Sequence, residues 1–320
     1  MIIVRLIGGL GNQLFQYAFA KHLSVKHNTC LKIDIQKQIE YGYRQYALSV
    51  FNISGSIATI KEVNDFFPNK KFNNKLSHFF GNRIANLIKP YNSHLEETLF
   101  DRVLYDKTIN SYTPIIYGKI AAERFFHFDQ DAINLPDNII LFGYWQNEKY
   151  FKEIEEIIRK EFTFKGAINN SNKAILDKIE KSNSIFIHIR RGDFLNSLNN
   201  EIFISQNINY YYRSIKYITQ KVEDPYFFIF SDDIDWAKEN LKINFKALYI
   251  DNNRHQPEED LRLMISCKHG ITASSTFSWW AAWLIEDPNK IIITPQKWYN
   301  LPDHYIEDMI PTNWIKTTDN

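Results

Sequence analysis

His188-Ile189-Arg190-Arg191-Gly192-Asp193-Phe194 gathers more chemistry than any other stretch of the chain. An imidazole, two adjacent guanidiniums, a glycine and a carboxylate follow Ser184-Ile185-Phe186-Ile187, which reads as a short buried strand. Arginines side by side at the carboxyl end of a strand are costly to hold unless anions meet them. A guanidinium fork matches phosphate oxygens two at a time. Gly192 lets the backbone turn closely past a ligand. The competing reading is a strand-end Arg–Asp ion pair that serves the fold alone.

The second chemical stretch is the N-terminus. Ile2 to Ile7 reads as a strand, Gly8-Gly9-Leu10-Gly11-Asn12-Gln13 as a tight loop, and Leu14 to His27 as a helix with Leu14, Phe15, Ala18, Phe19 and Leu23 on one apolar face. Strand, glycine loop and helix together cradle phosphate, because a helix N-terminus offers unpaired N–H groups. The dinucleotide fingerprint is not met, since Leu14 stands where its third glycine belongs, and no GKS or GKT is present, which excludes a P-loop. A plain tight turn is the competing reading for this loop.

The elements that must position these residues alternate most regularly in the second half. Strands are expected at 184–189, 226–230, 247–250, 269–273 and 290–294, and helices at 207–221, 234–241, 257–267 and 276–285. Such alternation implies a parallel doubly wound sheet. Polar clusters fall just past the strand ends, at Arg190–Asp193, Ser231–Asp233, Asp251–Asn253 and Ser274–Thr276. Ligands of open α/β sheets sit beyond the carboxyl ends of the strands, so these clusters mark a nucleotide site. The first 35 residues read strand–loop–helix–strand, ending in Thr29 to Ile35. Residues 40–140 are irregular and rich in Asn and aromatics, with helices expected near 61–66, 75–89 and 94–105; a charged amphipathic helix is expected at 148–162 and a polar hinge at Asn169–Asn172.

The chain has 320 residues, 44% of them hydrophobic and 15% aromatic, enough for two cores. Its 38 basic and 37 acidic residues nearly cancel, which speaks against nucleic acid as a partner. Cys30 and Cys267 are too few for a disulfide scaffold and point to a reducing compartment. No leader is visible and no apolar run approaches the roughly 20 residues that span a bilayer, so a cytoplasmic protein is expected. Its membrane contact is at most peripheral, through Lys70, Lys71, Lys75 and Arg83, which otherwise form an ordinary solvated surface.

IGGLGNQLFQYAFA, HIRRGDF, FSDDIDW at 230–236 and DLRLMISCKHGITASSTFSWWAAWL at 260–284 together resemble glycosyltransferase family 11, the α-1,2-fucosyltransferases that use GDP-fucose. The blocks come in the family's order and span most of the chain. The resemblance implies an α/β fold of GT-B type, with two Rossmann-like domains facing a cleft. Residues 1–165 would form the acceptor-side domain, 175–300 the GDP-fucose domain, and 301–320 an extension that packs back on the first. It favours the bacterial form, with a galactose-terminated glycan or a lipid-linked oligosaccharide as acceptor in O-antigen or other surface-glycan synthesis.

In the HxRRxD-type loop the resemblance implies that Arg190 holds the leaving β-phosphate, stabilising the charge that grows there. Arg191 either shares that role or pairs with Asp193. Asp193 either orients the arginines or takes the acceptor's proton. Related loops carry a glutamate a few residues on, whereas here the next acid is Glu201, so the leaving phosphate is another destination for the proton. His188 and Asp260 are implied at the guanine, whose N1–H and 2-amino group a carboxylate accepts; alternatively Asp260 is a helix-dipole charge after Pro257. Gly9, Gly11 and Asn12 are expected at the donor's pyrophosphate or fucose. Ser274, Ser275 and Thr276 either cap a helix or bind phosphate. Trp279, Trp280 and Trp283 are read as packing rather than as sugar platforms. Asp233-Ile234-Asp235 matches the DxD metal motif in form, but Asp232 and Asp233 stand where a helix cap is expected, and arginines supply the countercharge, so no metal or other cofactor is expected. The readings from other classes are a nucleotide-dependent oxidoreductase, against which the missing third glycine speaks, and a non-catalytic nucleotide- or glycan-binding protein, against which Arg190 and Asn12 speak.

Overall fold

Short apolar runs alternating with helices build two sheets, each in its own compact unit. The computed structural model describes residues 1–36, 45–66, 116–123, 127–192, 204–254, 256–299 and 308–317. The first unit takes in the described residues of Met1–Tyr46, Ile53–Glu161 and Tyr305–Met309; the second takes in those of Ala47–Asn52, Phe162–His304 and Ile310–Asn320.

In the first unit the elements are β1 (Ile2–Arg5), α1 (Leu10–Lys26), β2 (Leu31–Asp34), β3 (Ser56–Ile57), α2 (Ile60–Asn64), β4 (Ile116–Tyr117), β5 (Ile120–Ala122), β6 (Ile139–Phe142) and α3 (Glu155–Glu161). The sheet order is β3-β2-β1-β6-β5-β4, parallel except for β4 against β5. All four residues of β1 and of β6 are buried, the near-continuous apolar pattern of central parallel strands. Helix α1 starts at Leu10, earlier than its apolar face suggests, so Gly11, Asn12 and Gln13 belong to its first turn. Gly9 is its extended N-cap, and the Gly9 carbonyl accepts the Gln13 amide at 3.1 Å. The stretch expected as one helix at 148–162 forms tight turns at Glu148–Tyr150 and Lys152–Ile154 before α3. Packing overrides propensity there: Tyr150 and Phe151 bury their rings against Phe19 (4.8 Å between centroids) and Phe15 (6.2 Å).

The second unit contains α4 (Asn170–Glu180), β7 (Asn183–Ile189), α5 (Ile208–Ile218), β8 (Pro225–Ser231), α6 (Ile234–Asn240), β9 (Lys246–Tyr249), α7 (Pro257–Ile265), β10 (His269–Ile271), α8 (Thr276–Leu284), β11 (Ile292–Pro295) and β12 (Ile315–Thr317). Its sheet is parallel throughout, in the order β12-β11-β10-β7-β8-β9. Two-residue alternation sorts β7: Ile185, Ile187 and Ile189 enter one core with Tyr210, Tyr211 and Ile215 of α5, while His188 faces the other side, its ring 5.4 Å from that of Phe277 in α8. Asn169 caps α4 by accepting the Asn172 amide, so the expected hinge residues open a helix. Trp279, Trp280 and Trp283 are buried against one another, as packing residues. Each unit is Rossmann-like, the α/β pairing expected of the GT-B type. The helices expected at 75–89 and 94–105, and the basic residues Lys70, Lys71, Lys75 and Arg83, lie outside the described residues.

Candidate active site

In the second unit the chain runs from β7 to β8 and β9 on one side, and returns with β10, β11 and β12 on the other. The strand order therefore reverses between β7 and β10, the point at which open α/β sheets bind ligands beyond the carboxyl ends of their strands. The residues leaving β7 are Arg190, Arg191 and Gly192; those leaving β10 include Ser274 and Ser275.

A single carboxylate organises the β7 exit. Register pairs Ile189 with Ser231, so the next residues, Arg190 and Asp232, come side by side. Asp232 Oδ2 meets Arg190 Nη1 at 3.1 Å and accepts the Gly192 amide at 3.0 Å, while Oδ1 accepts the Arg191 amide at 2.9 Å. A Cβ on Gly192 would stand 2.8 Å from Asp232 Oδ2, so the glycine is what allows the loop to close on this carboxylate. Ser205 Oγ donates to the Arg190 carbonyl at 3.3 Å. Arg191 turns the other way. Its guanidinium lies 3.7 Å from the Trp236 ring centre, and Nε reaches Asp233 Oδ2 at 3.4 Å. Asp233 also caps α6 by accepting the Trp236 amide, and Asp235 pairs with Arg254 at 3.0 Å. The DxD-like acids are thus committed to a cap and to arginines. Among the described residues no group of three or more His, Cys, Asp and Glu side chains is placed to hold a metal ion. Asp193 lies outside the described residues.

His188, one residue before the strand end, is buried, and Nδ1 has no hydrogen-bond partner among the described residues. Burial, and then the neighbouring Arg190 charge, depress its pKa to about 3, so the imidazole is neutral. Asp260, in the first turn of α7, accepts from Asn253 Nδ2 at 2.9 Å. Burial raises its pKa to about 7; Glu258 and Glu259 add to the rise, and the Asn253 bond opposes it. Past β10, Ser275 caps α8 through the Phe277 amide, Ser274 accepts from Gln206, and Thr276 begins the helix. Ser278 Oγ reaches back to the Ala273 amide at 3.2 Å and ties α8 to the strand end.

The first unit has its own reversal, between β1 and β6. Gly8 leaves β1 with φ +74°, and a Cβ there would come 2.4 Å from Asn12 Nδ2; Gly9, by contrast, has open space. Asn12 Oδ1 accepts from Gln146 Nε2 at 3.0 Å, and Gln16 bridges the Ile7 amide to the Gly143 carbonyl. Glu123, past β5, accepts the amides of Tyr144 (2.6 Å) and Trp145 (2.8 Å), and burial raises its pKa to about 8. The sequence offered Asp232 as a helix cap and as part of the Ser231–Asp233 cluster; Asp233 alone is the cap, and Asp232 holds Arg190 instead. Glu123 and Gln146 were not among the residues the sequence singled out.

A family model described as glycosyl transferase family 11 matches residues 1–318. The chain is 31% identical over 327 residues to an alpha-1,2-colitosyltransferase of Escherichia coli, covering 99% of this chain and 98% of that protein. It is 29% identical to the O-antigen biosynthesis glycosyltransferase WbnK of Escherichia coli, covering 92% and 93%. A galactoside alpha-(1,2)-fucosyltransferase 1 of Rattus norvegicus is 23% identical over 192 residues, 56% of this chain and 50% of that one. Among solved structures, that of NodZ alpha-1,6-fucosyltransferase soaked with GDP-fucose superposes with a TM-score of 0.50 over 91% of this chain and 94% of that one; at 15% identity the likeness is one of fold. Among the described residues no helix is long and apolar enough to cross a membrane.

Proposed function

Because the chain belongs to glycosyl transferase family 11, we propose that this glycosyltransferase moves L-fucose from GDP-β-L-fucose to a galactoside 2-hydroxyl, forming an α-1,2 linkage with inversion. The observation that carries the reading is Arg190, held by Asp232 at the strand-order reversal of the second sheet. The acceptor oxygen forms its bond to the anomeric carbon from the face opposite GDP. The bond from that carbon to the phosphate oxygen breaks, and its electron pair stays on the β-phosphate. A cation fixed before the reaction stabilises that growing charge without reorganising. Asp232 fixes Arg190 in this way, through the fold's own hydrogen bonds. Arg191, stacked on Trp236, adds positive potential from the neighbouring β8 exit. The acceptor's proton passes to Asp193 or to the departing phosphate. Asp260 and neutral His188 are assigned to the guanine, Gly9, Gly11 and Asn12 to the pyrophosphate or sugar, and Ser274 or Thr276 to a phosphate. No metal or other cofactor is needed on this reading. The O-antigen name of one relative supports a surface-glycan acceptor.

A second donor sugar is favoured by a specific observation, the 31% identity to an alpha-1,2-colitosyltransferase. Colitose is L-fucose without its 3-hydroxyl, so both would use the same guanine and phosphate contacts. A panel of GDP-fucose, GDP-colitose, GDP-mannose and UDP-galactose against galactose-terminated acceptors tests the proposal, with product linkage read by NMR. Transfer of fucose to O2 is expected. Transfer of colitose alone would replace the sugar but keep the site, and transfer from UDP-galactose alone would overturn the guanine assignment.

A further inference from the structure

Resting on the assignment of Asp260 to guanine, we infer that the buried amide pair Asn172–Asn253 is a positioning and specificity unit that holds Asp260 as the reader of the donor base. Asn172 lies in the first turn of α4, yet its side chain turns inward and is wholly buried. Its Nδ2 donates to Asn253 Oδ1 at 3.0 Å and to Glu259 Oε2 at 3.1 Å, and its Oδ1 accepts from Asn252 Nδ2 at 2.7 Å and from Asn253 Nδ2 at 3.2 Å. That uses every donor and acceptor a carboxamide has. Asn253, also buried, donates from the same Nδ2 to Asp260 Oδ1 at 2.9 Å.

Two asparagines facing each other could both flip and keep their mutual bonds. The flipped pair would turn Asn253 Oδ1 toward the Asp260 carboxylate, oxygen against oxygen. One neighbour sets the direction: Glu259 Oε2 accepts from Asn172, and Asn252 follows by donating Nδ2 to the oxygen this leaves. The polarity passes from Glu259 through Asn172 and Asn253 to Asp260, and an N–H always faces that carboxylate. Glu259 is itself steadied by Arg262 Nε at 3.5 Å. A fully satisfied buried network of this kind rigidifies its members.

The arrangement matters for base recognition because guanine's N1–H and 2-amino group need an oxygen pair that only accepts. The charged groups bearing on Asp260 are Glu258 and Glu259 on its own helix, and both favour its protonated form, as burial does. From α4 the network brings only neutral Asn172, which reaches Asp260 through Asn253, and Arg254 in the preceding connection is engaged by Asp235. The Asn253 N–H is the contact that favours the ionised form.

Calorimetry on the full chain with GDP and with inosine diphosphate, which lacks the 2-amino group, tests the unit between pH 6 and 8.5. Asn253→Ala is expected to weaken GDP binding at pH 7 by about tenfold, the loss of one hydrogen bond to a charged group. Much of that loss should return at pH 8.5, because the midpoint of the pH dependence moves up. Preference for GDP over inosine diphosphate should shrink, and in turnover the donor KM should rise while kcat at saturating donor holds. If Asn253→Ala does not fold, Asn252→Ala on the exposed side of the network is expected to give about a threefold loss with the same direction of pH shift. Asp260→Asn separates the two ideas. If it leaves GDP binding intact, the guanine assignment fails and this inference with it. If it abolishes the preference while Asn253→Ala or Asn252→Ala binds as the wild type with an unmoved pH midpoint, the assignment stands and the inference is overturned.

Discussion

Arg190→Lys should be nearly as damaging as Arg190→Ala. Lysine keeps the charge but brings one nitrogen where arginine brings a planar fork. In the structure that fork spends Nη1 on Asp232 Oδ2 at 3.1 Å. A lysine ammonium must divide itself between Asp232 and the leaving phosphate, and its flexible stem reaches the nearer carboxylate first. The lost interaction is one made mainly in the transition state, since phosphate charge grows as the glycosidic bond breaks. Removing one preorganised donor of this kind costs roughly 10²–10³ in turnover, about 2.7–4 kcal/mol. The fold should hardly notice. Both side chains of the pair are 22% exposed, and such pairs are worth about 0–1 kcal/mol. For a chain of this size that is a shift in Tm of at most a few degrees, about 2–4 °C. Steady-state kinetics with a saturating acceptor, paired with thermal melts, separates the two effects. A lysine variant within threefold of wild-type kcat, or an alanine variant that fails to fold, would return Arg190 to a strand-end ion pair.

Three further expectations follow from the same geometry. Transfer should survive EDTA, because arginines supply the countercharge and Asp233 and Asp235 are already paired; activity lost in chelator and restored by manganese would refute this. Gly192→Ala should lower kcat by about tenfold to a hundredfold with little change in melting temperature, since its Cβ would meet Asp232 Oδ2 at 2.8 Å and push the carboxylate off Arg190; unchanged kcat would show that Asp232 does not position the arginine. Glu123 has its pKa raised from 4.5 to about 8, so the folded state holds a proton the unfolded chain has released, and stability falls as pH rises between those values. Glu123→Gln loses an acceptor at every pH but carries no such slope, so its deficit in Tm should be larger at pH 5 than at pH 8.5, and a deficit that grows with pH would contradict the buried neutral carboxyl.

What the sequence disclosed and what it withheld divide along local and non-local physics. Strand β7 with its arginines, the capping serine of α8 and the tryptophan packing were readable because periodicity and turn chemistry act within a few residues. The start of α1 was misplaced because glycines at 8, 9 and 11 look like helix breakers, whereas only Gly8 needs the left-handed backbone and Gly11 sits inside the first turn. Asp232 was read as a cap for the helix that follows it. Its role comes instead from β7–β8 register, which sets it beside Arg190 across the sheet, and register is fixed by packing on both faces rather than by the local run. The β7 exit also shows why such sites are only half legible. A strand end announces its own charges, but not which neighbouring strand end will hold them in place. A lone arginine is a general affinity for anions. An arginine held by a carboxylate that also binds the next two amides of its own loop is a fixed charge, and a fixed charge is what a transition state can use.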